Sequence, residues 1–263
     1  MARVRRNPFT LEMIYHTKHI VIIPDVHQDI AWVKRILAQE TEADLFVFLG
    51  DYFDSHLALK HRTSTAATCR FLIDLQKHLG ERIVFLLGNH DIQYLEARRD
   101  CLRHHVPRHL SYRCGSAFKA SAAAKIAKHL PTVFWSNARL FVEVNGWLLS
   151  HAGVHSSFWP KRPSVAESLI SIQSECEHAL RDINHTNDPL LQAGLVRGGE
   201  ARNGGITWQD WNDEFRDDLP LPQIVGHTSN PNGARQLGRS WCIDGGQTCY
   251  GILTSAGLTT RVV

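Results

Sequence analysis

Three short apolar runs, separated by segments with helical spacing, constrain the fold of this chain most strongly. Residues 19–24, 45–49 and 82–87 have the length and composition of buried strands. Between them, residues 30–40 and 63–80 repeat apolar side chains every three or four positions. Each connection exceeds the dozen or so residues that a crossover between parallel strands requires. The pattern therefore predicts a βαβαβ unit with a parallel sheet.

The second half of the chain is predicted to add two helices and several short strands. Asn145-Gly146 supplies the positive φ angles of a type I′ turn, which predicts a hairpin between residues 140–144 and 147–150. Helices are expected at 120–130 and 165–182. The remaining predicted strands are 223–225, 241–243, 250–254 and 258–262.

No clear domain boundary interrupts the sequence. At 263 residues and 43% hydrophobic content, the chain can bury a large core within one domain. We therefore expect a single domain over residues 1–263, with helical or irregular insertions around 92–138 and 155–218. Residues 188–218 are rich in Gly, Trp and charged side chains, and we expect this irregular segment to border the functional site.

Charge and cysteine usage disfavour several classes of protein. The net charge of +3 comes from Lys and Arg scattered along the chain, so nucleic-acid binding is not expected. The six cysteines form no C-x-x-C pair, which argues against a zinc ribbon and favours reduced thiols in a cytoplasmic protein. No apolar run approaches the ~18 residues that a membrane span needs, and we expect no membrane partner.

Five short motifs carry oxygen and imidazole donors directly after apolar runs. Parallel strands present their carboxyl ends to one crevice, so donors at several strand ends can converge there. We expect Asp25 and His27 to point to the same side, as residues i and i+2 of an extended segment do. The motifs are Asp25-Val26-His27, Gly50-Asp51-Tyr52-Phe53-Asp54, Gly88-Asn89-His90-Asp91, His151-Ala152-Gly153 and Gly226-His227-Thr228.

Each motif alone also has a structural interpretation. Asp51 could cap a helix, and Gly88-Asn89-His90 could form a turn that needs left-handed backbone conformations. His151 and His227 could be hydrogen-bonded core histidines. These separate interpretations do not explain why every strand end carries a donor, and the joint pattern favours a two-metal centre, a known device for hydrolysing phosphate esters.

The ordered motifs resemble those of the calcineurin-like metallophosphoesterases, over residues 25–246. Gly50-Asp51-Tyr52-Phe53-Asp54 and the ending Cys242-Ile243-Asp244-Gly245-Gly246 are nearest the branch of phosphoprotein phosphatases and symmetrical diadenosine tetraphosphatases. Ser229 stands where other branches place a second histidine. The resemblance implies an α/β fold, a four-layer α/β/β/α sandwich of two mixed β-sheets, with a dinuclear metal site at the strand ends.

The resemblance also implies a role for each motif residue. His90 would protonate the leaving group, Asp54 would orient its imidazole, and a metal-bridging water or hydroxide would attack phosphorus. Hard oxygen and nitrogen donors suit two divalent ions, with Mn²⁺ expected in vitro and Fe or Zn²⁺ as alternatives. The implied metal ligands are Asp25, His27, Asp51, Asn89, His151 and His227, with Asp51 bridging both ions.

One departure from the family pattern bears on the substrate. Protein phosphatases continue as G-D-x-V-D-R-G, whereas this chain has Asp54-Ser55-His56, so the arginine that clamps phosphate is missing. Arg197, Arg202 or His56 could take its place.

The substrate is expected to be a phosphorylated small molecule, a nucleotide or a phosphoprotein, most simply a phosphomonoester of the serine/threonine phosphoprotein type. A phosphodiesterase or a dinucleoside polyphosphate hydrolase is the alternative, since loss of a fixed cation favours a monoanionic diester. A non-catalytic metal-bound scaffold is a more distant alternative.

Overall fold

Two mixed five-stranded sheets organise the computed structural model, which describes residues 17–55, 63–108, 110, 117–185 and 187–263. The strands of the first sheet, in spatial order, are β10 (Gly257–Val262), β9 (Cys249–Thr254), β1 (Ile20–Ile23), β2 (Leu45–Phe48) and β3 (Ile83–Phe85). Those of the second are β4 (Phe141–Val144), β5 (Trp147–Ser150), β6 (Gln223–Val225), β8 (Ser240–Cys242) and β7 (Arg235–Leu237).

Six α-helices accompany the sheets in the described part of the chain. They are α1 (Ile30–Gln39), α2 (Thr65–Leu79), α3 (Asn89–His104), α4 (Ala120–His129), α5 (Thr132–Asn137) and α6 (Val165–Arg181). Among the described residues, no helix combines the length and the apolar character that crossing a membrane would require.

The predicted βαβαβ unit is confirmed. β1 pairs in parallel with β2, with Ile20 opposite Leu45, and β2 pairs in parallel with β3. The side chain of Asp29 caps α1 by accepting the N–H of Trp32, and α2 ends at Gly80 with φ of 57°. The connections through α1 and α2 therefore have the local signals that helices of this length need.

The alternation of side chains along β1 separates two layers of core. Ile20 and Ile22 pack between the sheets in one buried cluster, which also contains Leu149 and Ile224 of the second sheet. Val21 and Ile23 belong to the larger cluster that includes buried residues of α1 and α2. Because successive strand residues point to opposite faces, the sheets pack on each other and the helices cover the outer faces. The predicted α/β fold of two mixed sheets is confirmed.

Helix α3 was not predicted from the sequence. Its interior is polar and charged, yet Tyr94, Ala97 and Cys101 are buried at helical spacing along one side. Gly88 is the N-cap, and the motif for which a turn was the structural alternative is the start of a sixteen-residue helix. Short α5 and β7 were also missed. The prediction of a single domain with two insertions stays a prediction.

Candidate dinuclear metal site

The predicted donor residues converge at one edge of the two sheets. The first sheet contributes the turn after β1, the turn after β2 and the start of α3, and the second contributes the turns after β5 and β6. Two hydrogen bonds join these turns across the sheets: the Leu49 carbonyl accepts from His151 Nδ1 at 3.0 Å, and Asp25 Oδ1 accepts from the backbone N–H of His227 at 2.9 Å. The edge is therefore one structural unit.

Tight backbone turns place the donors. His27, Asp51 and His227 have φ values of 42°, 51° and 65°, in the left-handed region that non-glycine residues seldom adopt. We expected Asp25 and His27 to point to the same side because both would lie in an extended segment, and this reason is wrong: His27 is in the left-handed region. The two side chains nevertheless approach each other. A Cβ on Gly88 would collide with Asp51 Oδ1, so only glycine fits beside this carboxylate.

Two groups of donor atoms share Asp51. In the first, His27 Nε2 lies 3.8 Å from both Asp25 Oδ2 and Asp51 Oδ2. In the second, His151 Nε2 lies 3.5 Å from Asp51 Oδ2 and 3.2 Å from His227 Nδ1. Asn89 Oδ1 lies 3.1 Å from His151 Nε2, next to this second group. One carboxylate thus stands between two clusters of donors.

The imidazoles are oriented as metal ligands require. His27 Nδ1 donates to the Phe53 carbonyl at 2.9 Å, and His151 Nδ1 donates to the Leu49 carbonyl, so both rings turn Nε2 toward Asp51. Burial lowers the pKa of His151 despite the Asp25 charge, and burial together with the charge of His151 lowers the pKa of His227. Neutral rings have the lone pairs that a cation needs, so the donor set fits two divalent ions.

The buried carboxylates at this edge repel one another. Burial raises the pKa of Asp51 well above its ordinary value; His90 lowers it, and the charges of Asp25 and Asp91 raise it further. A divalent cation would offset this cost because it neutralises the charge that the buried site concentrates.

A second group of side chains surrounds Asp54. Its Oδ2 accepts from His90 Nδ1 and from Gln93 Nε2, both at 2.8 Å, and its Oδ1 accepts from the hydroxyl of Tyr94. Burial lowers the pKa of His90, but the Asp51 charge and the hydrogen bond to Asp54 outweigh it and raise the pKa to about 9. The hydrogen bond between Asp54 and His90 that the resemblance implies is thus present, and the carboxylate accepts from two further donors that the sequence did not indicate.

Asp91 holds the backbone of the site and was missed as a functional residue. Its carboxylate accepts the N–H groups of Asp51, Tyr52 and Gly88 at 2.7, 3.1 and 2.9 Å. These bonds tie the turn after β2 to the start of α3, and thereby fix the positions of Asp51 and Asn89. The adjacency of Asp91 to His90 in the third motif was the available sequence signal.

The three candidate phosphate contacts differ in position. Arg197 Nη2 donates to Thr228 Oγ1 at 2.9 Å and pairs with Asp210 at 2.8 Å, which places its guanidinium beside the turn that carries His227. Arg202 is exposed, and no contact joins it to a donor residue in the part of the chain that the structure describes. His56 lies outside the described residues.

Comparison with known proteins agrees with this geometry. The profile of the calcineurin-like phosphoesterase family matches residues 18–244. No curated protein matches the chain in sequence.

Two solved structures illustrate the likeness in fold. The cold-active protein-tyrosine phosphatase of the psychrophile Shewanella sp. is 14% identical, with a TM-score of 0.61, over 94% of this chain and 78% of that one. A provisionally assigned diadenosine tetraphosphatase is 15% identical, with a TM-score of 0.51, over 95% of this chain and 96% of that one. At such identity these structures share the fold, and their substrates say nothing further about this chain.

Proposed function

Because this chain belongs to the calcineurin-like phosphoesterase family and is a hydrolase of phosphoester bonds, we propose that its substrate is a phosphomonoester, in the manner of the serine/threonine protein phosphatases. The observation that supports a hydrolytic site most directly is the shared carboxylate of Asp51, which stands between two groups of donors. The pairing of His90 with Asp54 beside it adds a proton donor for the leaving alcohol.

We assign the metal ligands from the two donor groups. The first ion would be held by Asp25 and His27 and the second by Asn89, His151 and His227, with Asp51 common to both. Two bound divalent ions supply a nucleophilic water at neutral pH and stabilise charge on the attacking and leaving oxygens. We propose Mn²⁺ as the ion that supports activity in vitro, with Fe or Zn²⁺ as alternatives, since the donors are carboxylate, amide and imidazole.

Two side chains would protonate the leaving group and bind the phosphate. His90, which Asp54 holds at Nδ1, would give the proton of its Nε2 to the leaving oxygen, which avoids release of a strongly basic alkoxide. Arg197 would donate to a non-bridging phosphate oxygen. Its position is fixed by Asp210 and Thr228, so little side-chain entropy is lost on binding.

The alternative is a phosphodiesterase or a dinucleoside polyphosphate hydrolase. One observation favours it: the Arg197 guanidinium is already paired with Asp210, so it offers hydrogen bonds but a reduced net charge to a substrate. Ser55 stands where the protein phosphatases have the arginine that clamps phosphate. A monoanionic diester needs less positive charge than a dianionic monoester.

A substrate panel tests the choice. The protein loaded with Mn²⁺ is given an aryl phosphomonoester, its diester, a phosphopeptide, a dinucleoside tetraphosphate and cyclic nucleotides, and metal content is measured by elemental analysis. We expect two metals per chain and the highest kcat/KM with the monoester and the phosphopeptide. The Asp51→Asn protein, purified in the same way, controls for contaminating phosphatase. Faster cleavage of the diester or the tetraphosphate would move the assignment to the alternative.

Arg197→Ala should raise KM for the aryl phosphomonoester about 10- to 100-fold, because it removes hydrogen bonds from a charged donor to the phosphate. Arg202→Ala is the matched control: the same change of residue in the same segment, at an exposed position with no contact to a donor residue among the described residues. Steady-state kinetics of both variants checks the prediction. An unchanged KM in Arg197→Ala would remove this residue from the substrate site.

We also propose a cytoplasmic location. The five cysteines for which the structure describes the state are free and buried, as reduced thiols of a cytoplasmic protein are.

A further inference from the structure

We propose that Tyr94 and Gln93 are positioning residues that hold Asp54, and through it the imidazole of His90, in the geometry for proton transfer. The inference rests on the proposed function, in which His90 protonates the leaving group. Three donors meet one carboxylate: the His90 ring, the Gln93 amide and the Tyr94 hydroxyl. Neither Gln93 nor Tyr94 belongs to the motif that indicated the site.

Helix geometry explains why these three side chains reach the same group. His90, Gln93 and Tyr94 are residues i, i+3 and i+4 of α3, which lie on one face of a helix. Asp54 approaches that face from the turn after β2, and its own φ of 60° is in the left-handed region. A residue in this conformation is held by its surroundings, because the backbone alone disfavours it.

The Tyr94 ring has little freedom to move. It stacks on Phe118 with ring centroids 5.1 Å apart and contacts the edge of Phe53 at 5.6 Å. Its hydroxyl donates to Asp54 Oδ1. Burial and the Asp54 charge raise the pKa of Tyr94, which favours the protonated hydroxyl that donates to Asp54.

The arrangement fixes both oxygens of Asp54. Tyr94 holds Oδ1, so the carboxylate cannot rotate about its own axis without breaking that bond. Gln93 shares Oδ2 with His90 and keeps this oxygen at the ring nitrogen. The His90 ring is thereby held in one plane, nearly perpendicular to the His27 ring at an interplanar angle of 88°. Loss of the Gln93 or the Tyr94 hydrogen bond would let the His90 imidazole adopt orientations in which it cannot protonate the leaving group, although His90 itself would still be present.

A purely structural role predicts a different result. If the Tyr94 bond only anchors α3 to the turn after β2, its loss should lower stability and reduce turnover equally for all substrates. If it positions the acid, turnover should fall most where protonation of the leaving group is needed, since a misplaced acid slows only that proton transfer. Dependence on the leaving group therefore separates the two roles.

The test compares Tyr94→Phe and Gln93→Leu with Tyr250→Phe in the protein loaded with Mn²⁺. Tyr250 is the matched control because it is also buried and its hydroxyl also donates to a buried carboxylate, that of Glu40, remote from the donors. We expect Tyr94→Phe to lower kcat roughly tenfold for phenyl phosphate and less than twofold for dinitrophenyl phosphate, with KM and metal content unchanged. Tyr250→Phe should change thermal stability only.

A second readout is independent of turnover. The Nδ1 proton of His90, identified by its loss in His90→Asn, is followed by NMR in the metal-free protein. It should shift or broaden in Tyr94→Phe and stay unchanged in Tyr250→Phe. An unchanged resonance, or an equal loss of kcat for both aryl phosphates, overturns the positioning role. A wild-type protein that hydrolyses no phosphoester while the resonance shifts overturns the proposed function instead.

Discussion

His90→Asn should lower kcat for phenyl phosphate by about 10²–10⁴-fold while both metals stay bound. Asparagine cannot give up a proton to the leaving oxygen. The loss should shrink as the leaving group becomes more acidic, because a good leaving group departs without protonation. The substitution spares the metal ligands: the backbone N–H of His90, which donates to Asp51 Oδ1 at 3.0 Å, is retained.

The measurement is a plot of log kcat against leaving-group pKa for a series of aryl phosphates, with metal content determined on the same samples. His78→Asn, at an exposed position near the end of α2, is the control for the substitution itself. Parallel plots for His90→Asn and wild type would mean that His90 does not act as the acid. Loss of metal in the variant would instead place His90 in the support of the ligand set.

The fold could be predicted where side-chain periodicity and strand ends agree. β1, β2 and β3 are apolar runs of the right length, and the donors that follow them point to one edge because parallel strands end together. The Asn145-Gly146 turn also was found, with φ values of 52° and 81°. In these cases the identities of a few adjacent residues are enough to predict the local structure.

The parts that were missed depend on contacts that local patterns do not record. Helix α3 buries polar side chains such as Asp91, Gln93 and Glu96 beside its few apolar ones, so its hydrophobic periodicity is weak, and its Gly-Asn start is also compatible with a turn. The pairing of Arg197 with Asp210 joins two positions in an irregular segment, where no period relates them. Tyr94 becomes significant only because a left-handed Asp54 turns back toward α3.

Asp51→Asn should abolish binding of both metals and with it all metal-dependent hydrolysis. Asp51 contributes to both donor groups, whereas each other ligand belongs to one. The amide keeps an oxygen acceptor for the His90 N–H, so the turn should hold its shape, but the charge that neutralises two cations is lost. Elemental analysis after dialysis against Mn²⁺ measures the loss directly, and Asp29→Asn, at the cap of α1, is the control.

The effect of Asp51→Asn on Tm should have opposite signs with and without metal. Metal at a thousand times its Kd should raise the Tm of the wild-type protein on the order of 10 °C and leave the variant unchanged. Without metal, at neutral pH, the Asp51→Asn protein should have a higher Tm than the wild-type protein. Burial raises the pKa of Asp51 in the folded state. The metal-free wild-type protein therefore loses stability as the pH rises above the pKa that Asp51 has in the unfolded chain, and it regains this stability when the pH falls below that pKa. A metal-free variant with a lower Tm than wild type at pH 7 would show that Asp51 chiefly supports the fold, and that its position between the two donor groups serves packing instead of metal binding.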